Sequence, residues 1–383
     1  MKEEKAILVN VEPLVFKWLL DSSGWSKEDI AKKLKTSVKI IEKIESGEKQ
    51  LSFRQLEELS NIFKRPVASF LLSKPLPEKP KPKDYRMLSN KVNQFDKKTL
   101  LVIRKARKLQ EISRELSINI NYERKSSLEH FRINDDPEVI AIQFRKKFNF
   151  TIEQQKKFKN PYEMFNYLRD ILEDNNIYLF QFSMPIDDAR GFVFVDESPN
   201  VIVVNTKDNI EARIFSLMHE LGHILLGESV IDLPDATNVS QNEIEKWCNE
   251  FSSTFLLPKE IAKAIFDAKK ENLTDKETLK YFSNKYKVSK AMLLLNMLKL
   301  GYIEKRDYEN ILRMFSKETI LIKKGTSKVG MSPTKKCISE VGNKFVSLVA
   351  NNYDKSNITY TDALNYLSVK SRNFDKILSK ARK

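Results

Sequence analysis

Cysteine and histidine are scarce in this chain of 383 residues. The two cysteines, Cys248 and Cys337, cannot form a disulfide framework, which excludes a small secreted fold stabilised by disulfides. An intracellular protein is the simpler interpretation, and we expect it to be cytoplasmic. The three histidines limit any imidazole site to very few positions.

Long apolar runs are also missing. No stretch of about 18 or more apolar residues occurs, as a membrane-spanning helix would need. The start of the chain contains acids and no uninterrupted apolar segment with a small-residue cleavage site. We therefore expect no secretion signal, no membrane span and no membrane partner.

Acidic residues are outnumbered by basic ones, 52 to 67, which gives a net charge of +15. This excess suggests an acidic partner such as nucleic acid, although a solvated Lys-rich surface is the alternative. The length allows two or three domains, each able to bury its own core.

The pentad HELGH, residues 219–223, is the most informative motif. On a helix, His219 and His223 are one turn apart and can direct both imidazoles at one divalent ion. Glu220 lies beside the first histidine and is placed to accept a proton from water at that ion. The pattern indicates a metal-dependent hydrolase. An ordinary amphipathic helix with two solvated or core histidines is the alternative.

The surrounding sequence predicts a helix for this pentad. Asp208 and Glu211 read as a capping box, and Gly227 ends the apolar periodicity. A catalytic zinc site needs a third protein ligand and an open fourth position. On the helix predicted from 242 to 257, Glu245 lies on the flank with the small residues Cys248 and Ser252, which would allow close approach, so we choose Glu245 as that ligand.

The runs FSLMHELGHILLG and IEKWCNEFSSTFLLP resemble the ImmA/IrrE type of metallopeptidase. In that family an HELGH helix precedes a second helix that provides a glutamate ligand. The resemblance implies that His219, His223 and Glu245 hold Zn²⁺, with Mn²⁺ as the other candidate, and that Glu220 is the general base. Cys248 stands where such proteins usually have alanine, and its thiol is a rival ligand.

Residues 12–72 predict a series of short helices. Ser26 and Ser37 read as N-caps of two helices joined by a tight turn, and Gly47 ends the second. This arrangement is typical of a helix-turn-helix. Its order resembles the XRE or Cro/CI-type DNA-binding domain.

The outward positions of the second helix decide what that domain contacts. Ser37, Lys39 and Lys43 are suited to phosphates or base edges, whereas Glu42 would repel the DNA backbone. We expect the first three to contact DNA. A helix-turn-helix that binds a protein partner instead is the alternative, since fold alone does not fix function.

The remaining sequence predicts a mainly α fold of the α+β class. We expect a five-helix helix-turn-helix bundle at 1–73 and a Pro-rich linker at 74–93. A zincin-like peptidase domain follows at 94–320, with a small antiparallel sheet whose strands are predicted at 177–182, 191–195 and 201–204. A basic helical region at 321–383 is the last part; its charges either contact DNA or are solvated.

The resemblances together imply a zinc-dependent endopeptidase with a fused DNA-binding domain. Its protein substrate would be a transcriptional repressor, whose cleavage derepresses genes for stress response, mobile elements or defence. The alternative is a helix-turn-helix regulator or antitoxin-like protein whose metal site senses rather than cleaves. The sequence leaves the oligomeric state open.

Overall fold

The computed structural model describes residues 7–77, 95–121, 128–227, 231–232, 243–323 and 331–381. Most of the predicted linker at 74–93 lies outside those ranges. Within them, no helix combines the length and apolarity that crossing a bilayer requires.

The chain divides into two compact units, with the division between residues 105 and 106. This point falls inside a long helix, so each part of that helix is described with its own unit. The positions of the domain boundaries at 73, 93 and 320 stay a proposal.

The first unit is almost entirely helical. A two-stranded pair, β1 and β2, accompanies four α-helices and a 3-10 helix at Val67–Phe70, where the sequence predicts five helices. The bounds are β1 Leu8–Val9, α1 Pro13–Ser23, α2 Lys27–Lys33, α3 Val38–Glu45, β2 Leu51–Ser52 and α4 Phe53–Phe63. The predicted order of short helices is confirmed.

Local sequence explains these helices. The Ser26 side chain accepts a hydrogen bond from the Asp29 backbone N–H, which caps α2 as predicted. Ser52 and Gln55 form a capping box at the start of α4. The inward faces bury one apolar core, which includes Phe16, Ile41 and Phe63.

The second unit contains the remaining helices around a four-stranded sheet. Its elements are α5 Lys97–Asn119 (from residue 106), α6 Pro137–Lys147, α7 Ile152–Lys157, α8 Pro161–Asp174, β3 Ile177–Phe182, β4 Gly191–Phe194, β5 Asn200–Asn205, α9 Ile210–Leu226, β6 Ile231–Asp232, α10 Glu243–Leu256, α11 Lys259–Asp267, α12 Lys276–Tyr286, α13 Lys290–Lys299, α14 Lys305–Lys323, α15 Pro333–Asp354, α16 Tyr360–Leu367 and α17 Ser371–Ala381. All three predicted strands are confirmed as β3, β4 and β5.

The sheet is mixed rather than wholly antiparallel. Its strand order is β3-β5-β4-β6, with β3 and β5 parallel and the other two pairings antiparallel. The mixed pairing follows from the strand order. β4 and β5 form an antiparallel hairpin, and β5, the second strand of that hairpin, lies beside β3 and runs parallel to it. A parallel neighbour of this kind is usually buried on both faces, and every residue of β3 is buried.

Helices cover both faces of this sheet. Ile177 and Leu179 belong to a core cluster that also contains α9 and α10 side chains. On the opposite face, Tyr178 and Phe180 contact the ring of Phe345 from α15 at centroid distances of 6.3 and 5.9 Å. The C-terminal helix α15 therefore completes the burial of the sheet.

α15 is kinked where it crosses a buried ion pair. Gly342 has φ 85° and ψ 158°, a conformation that only glycine adopts readily. At the kink, Arg169 donates to the Ser339 carbonyl at 3.0 Å and pairs with Glu173 at 2.8 Å. Burial raises the pKa of Glu173 even though Arg169 opposes that shift. The Arg169–Glu173 pair thus supplies hydrogen-bond partners for backbone groups of α15 near the kink, such as the Ser339 carbonyl.

Replacing Gly342 with alanine should destabilise the second unit strongly. A Cβ there would lie 2.2 Å from the Glu173 Oε1 atom, in addition to the backbone strain. We expect a loss of about 3 kcal/mol or more in the free energy of unfolding, measured by thermal or urea denaturation.

Gly301→Ala is the matched control for this substitution. Gly301 also has a positive φ, 77°, but an added Cβ would meet no atom of the described residues within 4 Å. Only the backbone cost of about 1–2 kcal/mol should appear. Equal losses in the two variants would show that the ion pair does not constrain the kink.

Candidate metal centre

Helix α9 carries the HELGH pentad on its buried face. Its N-cap is one residue later than predicted. The Asn209 side chain, rather than that of Asp208, accepts a hydrogen bond from the Ala212 backbone N–H at 2.8 Å. Asp and Asn are about equally favoured at the N-cap, so the sequence alone could not show which of these two adjacent residues caps the helix. Gly227 ends the helix in a left-handed conformation, as the sequence predicts.

The helical repeat places the two imidazoles together. The Nε2 atoms of His219 and His223 are 3.2 Å apart, and their rings are nearly perpendicular. Both side chains are buried. The i, i+4 spacing therefore produces a pair of nitrogen donors at one point.

Helix α10 brings a carboxylate to the same point. One oxygen of Glu245 lies 3.3 Å from the His219 Nε2 atom, and the other lies 3.3 Å from the His223 Nε2 atom. Glu245 is fully buried as well. The structure thus brings together the three residues that the sequence predicts as metal ligands.

The two helices approach closely because small residues face each other. A Cβ added at Gly222 would lie 3.0 Å from the Cys248 Sγ atom and 3.2 Å from the Cys248 Cα atom. Any larger residue at position 222 would push α10 away. Cys248 lies at the helix contact, consistent with the close approach expected on that flank.

These three residues fit a divalent ion in chemistry and in spacing. Ligand atoms about 2.0–2.1 Å from a tetrahedral ion lie about 3.3 Å from one another, which agrees with the donor separations here. Two imidazole nitrogens and a carboxylate are a donor set used by catalytic zinc. The three groups form a possible metal cluster within the part of the chain that the structure describes.

The surroundings keep Glu245 ionised. Burial raises the pKa of this carboxyl, but the opposing imidazoles of His219 and His223 hold it far below its ordinary value. A carboxylate and two nitrogens in a buried pocket form an environment that favours a cation.

Glu220 occupies a separate position, against the sheet. A Cβ added at Gly191 of β4 would lie 2.8 Å from the Glu220 Oε1 atom and 2.9 Å from the Val203 carbonyl oxygen. Strand β4 therefore leaves room for this carboxylate only because residue 191 has no side chain. Glu220 itself is fully buried.

The far end of α10 is fixed by two buried polar side chains. Arg145 donates to the Phe255 carbonyl, and Gln155 donates to the Leu256 carbonyl at 2.8 Å. These are the last carbonyls of the helix, which lack partners inside it. Burial lowers the pKa of Arg145 to about 10. Sequence reasoning missed both residues, because they lie on α6 and α7, about a hundred positions earlier.

The sequence also predicts that part of residues 191–205 is a sheet edge along which an extended substrate pairs. β5 is an inner strand of the sheet, paired on both sides, so it cannot be that edge. On β4, Gly191 and Phe192 pair with β6, while no described residue pairs with Val193 or Phe194 on that side. Only this part of β4 remains a candidate.

In the first unit, the three predicted DNA contacts lie at the N-cap and on the surface of α3. Ser37, Lys39 and Lys43 are all exposed, and Ser37 makes no capping hydrogen bond with its side chain. Glu42 is exposed on the same helix. Their role in DNA binding stays a prediction.

Comparison with known families agrees with both units. Residues 172–297 match a peptidase family model described as the IrrE N-terminal-like domain. Residues 16–70 match a helix-turn-helix family model. Comparison with curated proteins gives no match. The resemblance to a helix-turn-helix domain fused to an ImmA/IrrE-like peptidase is therefore confirmed.

The donor set predicts one tightly bound Zn²⁺ per chain. Glu245→Gln removes the anionic ligand. Mutation of a residue that only hydrogen-bonds to a metal ligand typically lowers metal affinity by roughly 10- to 100-fold, and we expect a larger fall in zinc affinity here. Glu243→Gln on the same helix is the matched control, because Glu243 is exposed and should leave affinity unchanged. A competition titration with a chromogenic chelator measures both. Equal affinities would remove Glu245 from the site.

Proposed function

We propose that this protein is a zinc-dependent endopeptidase with a fused DNA-binding domain, and that its substrate is a transcriptional repressor. The observation that carries the proposal is the buried group of His219, His223 and Glu245, with the buried Glu220 next to His219 in the sequence. Peptidases of the matched family are generally metal-dependent, which supports the same assignment. The repressor is inferred from the family resemblance.

His219, His223 and Glu245 would hold Zn²⁺, with Mn²⁺ as the other candidate. When bound, the ion supplies Lewis acidity, which polarises a peptide carbonyl and lowers the pKa of water. Three protein ligands leave a position for water or substrate, whereas structural zinc sites use four. The donor set therefore favours a hydrolase over a purely structural ion.

Glu220 would act as the general base. It follows His219 directly in the sequence, and its side chain is fully buried beside β4. Accepting a proton from the attacking water and returning it to the leaving amine needs one carboxylate that is not a ligand. The three predicted ligands leave Glu220 for this role.

The first unit would direct the enzyme to DNA. Ser37, at the N-cap of α3, and Lys39 and Lys43, on α3 itself, are exposed and present a hydroxyl and two cations. Such groups bind phosphates, and a helix in this position enters the major groove in related folds. Recruitment to the operator of the cleaved repressor would follow from this domain order.

Glu220→Gln tests the proposal most sharply against a sensor that does not cleave. The amide preserves shape but cannot accept a proton, so zinc content should stay at the wild-type level while cleavage falls by about 10²- to 10⁴-fold. The assay co-expresses each variant with the repressor encoded nearest to it and follows fragments by mass spectrometry.

Glu211→Gln on the same helix is the control for this assay. It lies in the first turn of α9, away from the pentad, and should cleave normally. Cleavage that is equal in the wild type and Glu220→Gln would rule out Glu220 as the base. Absence of fragments in every variant would favour the regulator whose metal site senses.

A further inference from the structure

Helices α16 and α17 in the second unit repeat the cap, the turn and the burial pattern of the helix-turn-helix α2–α3. Adding 333 to each residue number from 26 to 45 aligns the two segments without a gap. Ser26 corresponds to Thr359, and the first residues of α3 and α17, Val38 and Ser371, also correspond. Neither family match covers this segment.

The backbone of the two turns agrees bond by bond. Lys35 has φ 51° and its counterpart Ser368 has φ 53°. The following residue donates its N–H to the carbonyl five positions earlier in both cases, at 2.9 Å for Thr36 and 3.0 Å for Val369. The first helices of the two pairs therefore end in the same way, and in both cases the second helix begins three residues after the left-handed residue.

The caps before the turns also agree. Ser26 and Thr359 each accept a hydrogen bond at 3.1 Å from the backbone N–H three residues later. In both segments that residue is aspartate. The similarity therefore extends over the whole first helix and the turn, and not only over the positive-φ residue.

The second helices share their division into inner and outer faces. Ile41 and Ile44 of α3 are buried, and so are their counterparts Phe374 and Ile377. The outward cations correspond as well: Lys39 to Arg372 and Lys43 to Lys376, all exposed. Asp375 corresponds to Glu42, so the single acid between the cations is repeated too.

A third pair of helices shows that this turn alone does not imply a binding surface. α12 and α13 have the same positive φ, 55° at Lys287, and the capping Ser289 two residues later. At the positions of Lys39 and Lys43, however, α13 has Ala291 and Leu295. Leu293 and Leu294 are fully buried, so that unit serves packing.

The α16–α17 pair is held firmly while its cations remain outside. Phe374 packs edge-on against Tyr353 of α15 and Tyr360 of α16, at centroid distances of 5.4 and 5.0 Å. Leu367 and Leu378 are buried as well. Lys370 and Lys380 add two more exposed cations to the same segment.

We propose that α16 and α17 form a second DNA-binding helix-turn-helix, with Arg372 and Lys376 contacting the phosphates of double-stranded DNA. The chain then binds DNA through two separate surfaces. Duplex DNA is the partner because the segment repeats a helix-turn-helix in backbone, cap and outward charge, and its exposed face is cationic.

The test measures binding of the full-length chain to a fluorescent duplex of random sequence over a range of salt concentrations. Three variants each remove two positive charges: Arg372→Gln with Lys376→Gln, Lys39→Gln with Lys43→Gln, and Lys263→Gln with Lys270→Gln. The last pair is the matched control, because both lysines are exposed outside α3 and α17. Thermal unfolding checks that each variant is folded.

The α17 variant should lose at least about tenfold in affinity at 0.1 M salt relative to the control, and its salt slope should fall by about 2. The α3 variant tests the first surface independently. If one of the two surfaces does not bind DNA, binding by the other can still be measured. Combining both pairs should reduce binding further than either pair alone. An α17 variant that binds like the Lys263 and Lys270 control would overturn the second surface.

Discussion

The close contact between α9 and α10 is the constraint on which the candidate site depends. Gly222 and Cys248 meet where neither helix carries a large side chain, and this contact sets the distance from both imidazoles to Glu245. The rest of the second unit supports that contact. The sheet lies behind Glu220, and Arg145 and Gln155 hold the last carbonyls of α10. A buried site of three polar groups persists because a packed shell surrounds it.

Residues close in sequence were predictable, and contacts distant in sequence were not. The pentad encodes its own geometry through the helical repeat, and the flank with Cys248 was sufficient to choose Glu245. The parallel pairing of β3 with β5 depends on which strand lies between two others, which no local pattern shows. Gly191 behind Glu220 was missed for the same reason, although an isolated glycine at the start of a predicted strand is a signal of close approach.

The chain uses the same kind of helix pair in two different ways. Several helix pairs share a left-handed residue in the turn, among them α2–α3, α12–α13 and α16–α17, yet their second helices differ in what they expose. α13 buries leucines, while α3 and α17 present cations to solvent. Fold therefore does not assign function here, and the outward side chains do. The same reasoning applies to α9, whose proposed function depends on Glu245 of α10 lying beside its two histidines.

An X-ray absorption spectrum of the zinc-loaded protein tests the central claim most directly. The account predicts four light-atom ligands at about 2.0–2.2 Å, with the scattering pattern of two imidazoles and no sulfur. A sulfur shell at about 2.3 Å would place Cys248 on the ion. That result would contradict the donor set of His219, His223 and Glu245.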